Sequence, residues 1–233
     1  MLTQRVVKYI ADLLPMHCEV CRLPLTEPRS SSGICGYCSA YFDPVPRCQR
    51  CGLPTLYQVA ECGQCLKTPP SWQSLYCLGD YQQPLSTYVH LLKYERQFWH
   101  ANKLGLLLAG RVERPAQLIT YVPLHWRRYL KRGFNQSELI ALPLARQLNL
   151  PCQPLFKRLR ATPQQQGLSK VERRRNLSHA FTLNRYVNVD HVAIVDDVVT
   201  TGSTVQHLCD LLLEAGVKSV DIYCLCRTPE PAD

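Results

Sequence analysis

The stretch Val192-Ala193-Ile194-Val195-Asp196-Asp197-Val198-Val199-Thr200-Thr201-Gly202-Ser203-Thr204 decides the reading of this chain. Its four leading apolar residues predict a buried parallel strand, with two carboxylates where that strand ends. A small, hydroxyl-rich loop then leads into a helix expected to begin near Ser203. Open α/β sheets bind ligands at the carboxyl ends of their strands. A helix N-terminus adds free N–H groups and a positive dipole end, both suited to an anion. Thr200, Thr201, Ser203 and Thr204 supply hydroxyl donors, and Gly202 lets the backbone approach closely. Carboxylates repel phosphate, so Asp196 and Asp197 must face a different part of the same ligand, such as sugar hydroxyls or magnesium. Vicinal hydroxyls beside a 5′-phosphate meet both demands. A Walker-type loop is excluded, because no Gly-Lys-Ser/Thr follows the turn.

This string resembles the ribose-phosphate motif of the type I phosphoribosyltransferases. The resemblance implies that Asp196 and Asp197 hold the ribose 2′- and 3′-hydroxyls of phosphoribosyl pyrophosphate, with magnesium accompanying the ligand. Val198, Val199, Thr200, Thr201, Gly202, Ser203 and Thr204 would wrap its 5′-phosphate.

Outward from the motif, strand and helix signals alternate. Residues 73–81 read as a strand pair or lead-in segment, and Pro84 to Val112 shows helical periodicity through Leu85, Val89, Leu92, Leu104, Leu107 and Leu108. Leu118–Val122 reads as a strand ending at Pro123. Asn135 is the expected N-cap of a helix to about Asn149, bent at Pro143. After Val192–Val195, a helix face follows at Val205, Leu208, Leu212 and Ala215, stopped by Gly216. Ser219–Leu225 is the last strand. This alternation predicts an α/β fold with a doubly wound parallel sheet.

Formal net charge is +9 on 233 residues, and the excess is local. Between Arg111 and Arg175 fourteen Lys and Arg face only Glu113, Glu138 and Glu172. Such a surface attracts a phosphorylated small molecule or a nucleic-acid backbone. Pro123-Leu124-His125-Trp126-Arg127-Arg128 follows another strand's carboxyl end and forms a second anion candidate. In a phosphoribosyltransferase a loop here holds pyrophosphate, so Arg127 and Arg128 are its expected partners. Trp126, Tyr129 and Phe134, interleaved with basic residues, also suit single-stranded DNA.

Eight of the thirteen cysteines form four C-x2-C pairs, Cys18/Cys21, Cys35/Cys38, Cys48/Cys51 and Cys62/Cys65. Pairs joined by a short loop suit tetrahedral thiolate ligation of zinc. Two sequential structural sites are expected, Cys18/Cys21/Cys35/Cys38 and Cys48/Cys51/Cys62/Cys65, with about two zinc ions; a crossed pairing stays open. Cys77, Cys152, Cys209, Cys224 and Cys226 read as inert buried residues. The pairs stop before the link Lys67-Thr68-Pro69-Pro70-Ser71, which sets an expected boundary between a zinc-ribbon domain of residues 1–70 and a phosphoribosyltransferase-type domain of residues 71–233. No tract spans a bilayer, and Val6–Leu14, broken by Lys8 and Asp12, reads as a short amphipathic helix. A cytoplasmic location is expected.

Further motifs occur in order: Lys93-Tyr94, Arg132-Gly133-Phe134-Asn135-Gln136-Ser137, Thr162-x-x-Gln165-x-x-Leu168, Glu172-Arg173-x-x-Asn176 and Phe181, ahead of the acidic-pair loop. Together with the paired cysteines they resemble the ComF/ComFC (GntX-like) competence protein F family. That likeness implies a role in DNA uptake and natural transformation, with a DNA-uptake helicase or channel protein as possible partner. Lys93 and the segment Thr162–Asn176 would be ligand-loop elements. The alternative is an active phosphoribosyltransferase of nucleotide metabolism; no base-binding segment identifies its acceptor.

Overall fold

A computed structural model describes residues 17–25, 33–159 and 180–228. The helix expected over Val6–Leu14 and the segment Thr162–Asn176, with basic residues Arg160, Lys170, Arg173, Arg174 and Arg175, lie outside these residues.

The chain divides into two compact units, Met1–Pro44 and Val45–Asp233. In the first, a turn bridged between His17 and Pro24 precedes helix α1 (Gly36–Ser39) and a 3-10 turn, Ala40–Phe42. In the second, the order is α2 (Gly63–Lys67), β1 (Ser74–Gly79), α3 (Leu85–Tyr94), α4 (Trp99–Ala109), β2 (Leu118–Tyr121), α5 (Trp126–Arg132), α6 (Gln136–Leu148), β3 (Phe156–Arg158), β4 (Phe181–Leu183), β5 (His191–Val199), α7 (Ser203–Glu214) and β6 (Ser219–Arg227).

Four strands form a parallel sheet in the order β1-β6-β5-β2. Apolar runs make them fit for burial on both faces. Val192 and Ile194 of β5, with Val220, Ile222 and Cys224 of β6, share one buried cluster with Val205, Leu208, Cys209 and Leu212 of α7. The alternate residues Ile119, Ala193, Val195, Tyr223 and Leu225 are buried too, and α3, α4 and α6 pack against the strands. Gly105 lets α4 cross α6 closely, since a Cβ there would stand 2.8 Å from Pro143 Cγ. The expected doubly wound parallel sheet is therefore what forms.

Local differences have local causes. The periodicity over Pro84–Val112 resolves into two helices, with Arg96 turning the chain at φ 57° between them. Residues 73–81 give one strand, β1, paired to β6 rather than to a neighbour of its own. The pair β3 and β4 is an antiparallel ribbon that three-residue strands could not announce by pattern.

The expected boundary at residues 70/71 falls inside the larger unit, which starts at Val45. The second cysteine group is bound into the sheet domain. Leu75 N donates to Gln49 O at 2.8 Å, and Arg47 Nη1 pairs with Asp80 at 2.9 Å. The proline-rich link is pinned rather than loose: Ser71 N donates to Gln206 Oε1 at 3.1 Å and Ser71 Oγ to Asp210 Oδ1 at 2.6 Å, both on α7.

Candidate functional site

The acidic pair lies inside β5, not at its end, because the ladder with β6 continues to Val199 opposite Arg227. On the other flank β2 stops at Tyr121, opposite Val195. The pair thus stands at an open shoulder of the sheet where one neighbour has ended, the crevice position that α/β sheets use for ligands. Successive strand residues point opposite ways, and the two carboxylates have different partners. Asp197, 5% exposed, receives Lys93 Nζ of α3 at 2.7 Å on Oδ2. Asp196 Oδ1 accepts from Ser137 Oγ of α6 at 3.1 Å and from Asp197 N at 2.9 Å. Burial and the adjacent Asp197 charge push Asp196 up to about 7. Burial works against the Lys93 ammonium, but Asp197 outweighs it and raises the lysine above its ordinary value.

Asn135 explains how Ser137 arrives. As expected, it caps α6, its Oδ1 accepting from Ser137 N at 3.1 Å. Its Nδ2 donates to Val122 O at 3.0 Å, which ties the helix start to the end of β2.

The loop after β5 turns at Gly202, φ 75°, and α7 begins at Ser203. Gly202 brings no capping side chain of its own, which leaves first-turn amides for an anion. Thr201 Oγ1 and Ser203 Oγ lie 2.8 Å apart. Asp196 and residues 198–205 line a cradle of about 50 Å³. Behind Gly202 stands Trp72, whose Cη2 would be 2.8 Å from an added Cβ.

A cavity of about 250 Å³ adjoins the pair, lined among others by Lys93, Arg128, Arg132, Ser137, Arg158 and Thr204. Arg128 therefore reaches the acidic pair's cavity; Arg127 is not among its lining residues and lies instead over the Trp126 ring at 5.2 Å. Arg132 Nη1 donates to Gln136 Oε1 at 2.7 Å, and its guanidinium lies over Tyr94 at 5.7 Å. Burial, then the nearby Arg128 charge, lowers Arg158 to about 10, so it stays a cation at neutral pH. Burial and the same arginines push His125 down, suiting its place as neutral acceptor of Arg127 N at 3.3 Å. Sequence reasoning assigned neither Arg158 nor Ser137 to the site, though Ser137 closes the Arg132–Ser137 motif and Arg158 lies in the basic stretch. Ser137 stands two residues beyond a recognisable N-cap; nothing local sets Arg158 apart from its basic neighbours.

Both cysteine groups gather in sequential sets, Cys18/Cys21/Cys35/Cys38 in the smaller unit and Cys48/Cys51/Cys62/Cys65 in the larger, all sulfurs of a set within 4.8 Å. Sγ separations of 3.9 Å (Cys21–Cys35), 3.9 Å (Cys48–Cys65) and 3.7 Å (Cys51–Cys62) fit a tetrahedral ion. Zinc–sulfur bonds of ~2.3 Å place ligands ~3.8 Å apart. Backbone N–H groups of Cys35 and Cys62 point at Cys18 Sγ and Cys48 Sγ at 3.3 and 3.2 Å, support that thiolates need. Both sets therefore suit metal, and their ligand type suits zinc.

Residues 135–233 match the phosphoribosyl transferase domain family. The DNA utilization protein YhgH of Escherichia coli O157:H7 is 43% identical over 228 residues, spanning 92% of this chain and 98% of that protein. Competence protein F of Haemophilus influenzae is 37% identical over 210 residues, spanning 85% of this chain and 92% of that one. A glutamine phosphoribosylpyrophosphate amidotransferase from B. subtilis is partly similar, 22% identical over 52% of this chain and 25% of its own, with a TM-score of 0.38. The sheet, its acidic-pair loop and the family match define a phosphoribosyltransferase-type domain. The chain belongs to the ComF family, with competence protein F and the DNA utilization protein YhgH as relatives.

Proposed function

We propose that this protein binds phosphoribosyl pyrophosphate and serves in the use or uptake of DNA, as the names of its relatives suggest. One observation carries the ligand: a hydroxyl-and-amide cradle and an acidic pair open beside a cavity whose other wall holds Arg128, Arg132 and Arg158. Anion, diol and second anion are thereby matched in the order in which phosphoribosyl pyrophosphate presents them. Asp196 and Asp197 accept from the ribose hydroxyls, residues 198–204 take the 5′-phosphate, and the arginines oppose the pyrophosphate. Magnesium would neutralise pyrophosphate oxygens. Its oxygens would come chiefly from the ligand, because Lys93 already occupies Asp197 and Ser137 already serves Asp196. If transfer occurs, these residues place the anomeric carbon and hold the leaving group, with no covalent role for the protein.

Titration calorimetry with phosphoribosyl pyrophosphate and magnesium tests this directly. Binding by the wild type, lost in Asp196→Asn/Asp197→Asn, is expected; a folded wild type giving no heat refutes the ligand.

For contact with single-stranded DNA, α5 is the supporting element. None of its residues is buried, and Trp126, Tyr129 and Leu130 stand exposed among Arg127, Arg128 and Lys131. Such a helix offers stacking faces and phosphate partners together. Affinity for an oligothymidine should fall steeply with salt and weaken in Trp126→Ala/Arg127→Ala. Salt-independent binding, or none, removes this part of the proposal.

A further inference from the structure

Two side chains join the second cysteine group to the phosphate loop. Arg227 ends β6 with only 5% exposure. Its Nε donates to Cys51 O at 2.9 Å, and Nη1 donates to Val199 O at 3.2 Å and to the carbonyls of Thr200 and Thr228. Trp72 makes the second link. Its indole N–H donates to Arg50 O at 2.6 Å, while its ring lies against Gly202. Both carbonyls on the cysteine side belong to one turn, Cys48–Cys51, and both links end on residues 199–202. A cavity of about 450 Å³ separates the two regions elsewhere, so the join is narrow.

A buried guanidinium must have its N–H groups met, and here backbone carbonyls meet them. Val199 O and Thr200 O belong to the phosphate loop, and Cys51 O sits on the cysteine turn. Among the described residues that turn has little apolar support of its own: Cys48, Cys51 and Cys65 cluster with Leu53, Val59 and Cys62. Backbone bonds such as Gly52 N to Cys48 O and Leu75 N to Gln49 O, both at 2.8 Å, shape it in part, and an ion shared by the four sulfurs would fix it further.

We propose that metal at Cys48/Cys51/Cys62/Cys65 holds the phosphate loop in its binding shape, with Arg227 as the positioning residue and Trp72 as the backstop. Metal occupancy then tunes affinity for the sugar phosphate. This deepens the reading of residues 198–204 as a phosphate cradle and rests on it for the affinity arm alone. Linkage makes the effect reciprocal, so a sugar phosphate in the cradle tightens metal at the second group by the same factor.

The test uses the full chain and Cys62→Ser, Arg227→Met, Arg227→Lys and Trp72→Phe, with zinc counted in each. Hydrogen exchange is followed on peptides covering 199–204, with core peptides of β5 and β6 as the internal check of folding. Calorimetry with ribose 5-phosphate gives the affinity. Loss of one zinc in Cys62→Ser should speed loop exchange and weaken ribose 5-phosphate about 5- to 100-fold while the core stays protected. Arg227→Met should do the same with zinc retained, and Arg227→Lys should recover part of the loss. Should Cys62→Ser unfold the core, chelation of zinc from the folded wild type decides the matter, read by the same loop and core exchange. Unchanged loop exchange in folded variants overturns the inference. A wild type that binds no ribose 5-phosphate sinks the proposed function alone, since loop exchange still tests the brace.

Discussion

Replacing Gly202 by alanine probes the loop at its tightest point. At φ 75° an L side chain is strained, at a cost of about 1–2 kcal/mol. The new Cβ would also stand 2.8 Å from Trp72 Cη2. Trp72 cannot swing aside, because it is 4% exposed and its indole N–H is held by Arg50 O at 2.6 Å. Overpacking of this kind costs about 1–3 kcal/mol. Alanine recovers roughly 0.5 kcal/mol by stiffening the unfolded chain, leaving a net penalty of about 2–4 kcal/mol. If the loop keeps its shape, urea unfolding reads that penalty as lost stability. If the loop moves away from the ring, calorimetry with ribose 5-phosphate reads it as roughly 30- to 700-fold weaker binding. Gly202→Ala in a Trp72→Phe background separates the two costs: relief of crowding should restore about 1 kcal/mol or more, whereas the backbone strain persists. A Gly202→Ala variant within ~0.5 kcal/mol of the wild type and within twofold in affinity refutes the reasoning.

Further outcomes follow from the same geometry. Arg128→Ala should weaken phosphoribosyl pyrophosphate by about tenfold or more, the value of one charge-assisted hydrogen bond, whereas Arg127→Ala, which faces Trp126, should change it by less than about twofold. Elemental analysis should find about two zinc ions in the wild type and one fewer in Cys48→Ser, whose sulfur belongs to the second set. The proton on Asp196 gives a pH dependence with a definite sign. Its folded value, about 7, lies above the ~3.9 of an unfolded aspartate, so its contribution is complete below ~4 and is lost as pH rises to about 7. Relative to Asp196→Asn, wild-type stability in urea should fall by about 1 kcal/mol between pH ~5.5 and ~7.5, less than the full linkage slope because the residue keeps some exposure. A difference that is flat or rises with pH contradicts this assignment.

Several features were legible because their causes are local. The apolar run, the hydroxyl-rich turn at a left-handed glycine and the start of α7 sit within thirteen consecutive residues, and each follows from spacing or backbone preference. The Asn135 cap is likewise settled within two residues. The C-x2-C pairs announced metal-sized groups, although their sequential pairing needed the folded chain. At Lys67–Ser71, where proline and the end of the cysteines read as a linker, long-range bonds that no local pattern announces hold Ser71 to α7.

By itself, then, the sequence determined the class of fold, the acidic-pair loop and the C-x2-C pairs, all products of short-range pattern. Only the tertiary structure decided that Lys93 meets Asp197, that Ser137 reaches Asp196 across 59 residues, and that Arg158 joins Arg128 at the cavity. It also decided that Arg227 binds Cys51 across 176 residues and so draws the second cysteine group into the sheet domain. The reason is physical. Periodicity states which face of a strand is buried, whereas the order β1-β6-β5-β2, which no local pattern encodes, selects the neighbours at its end.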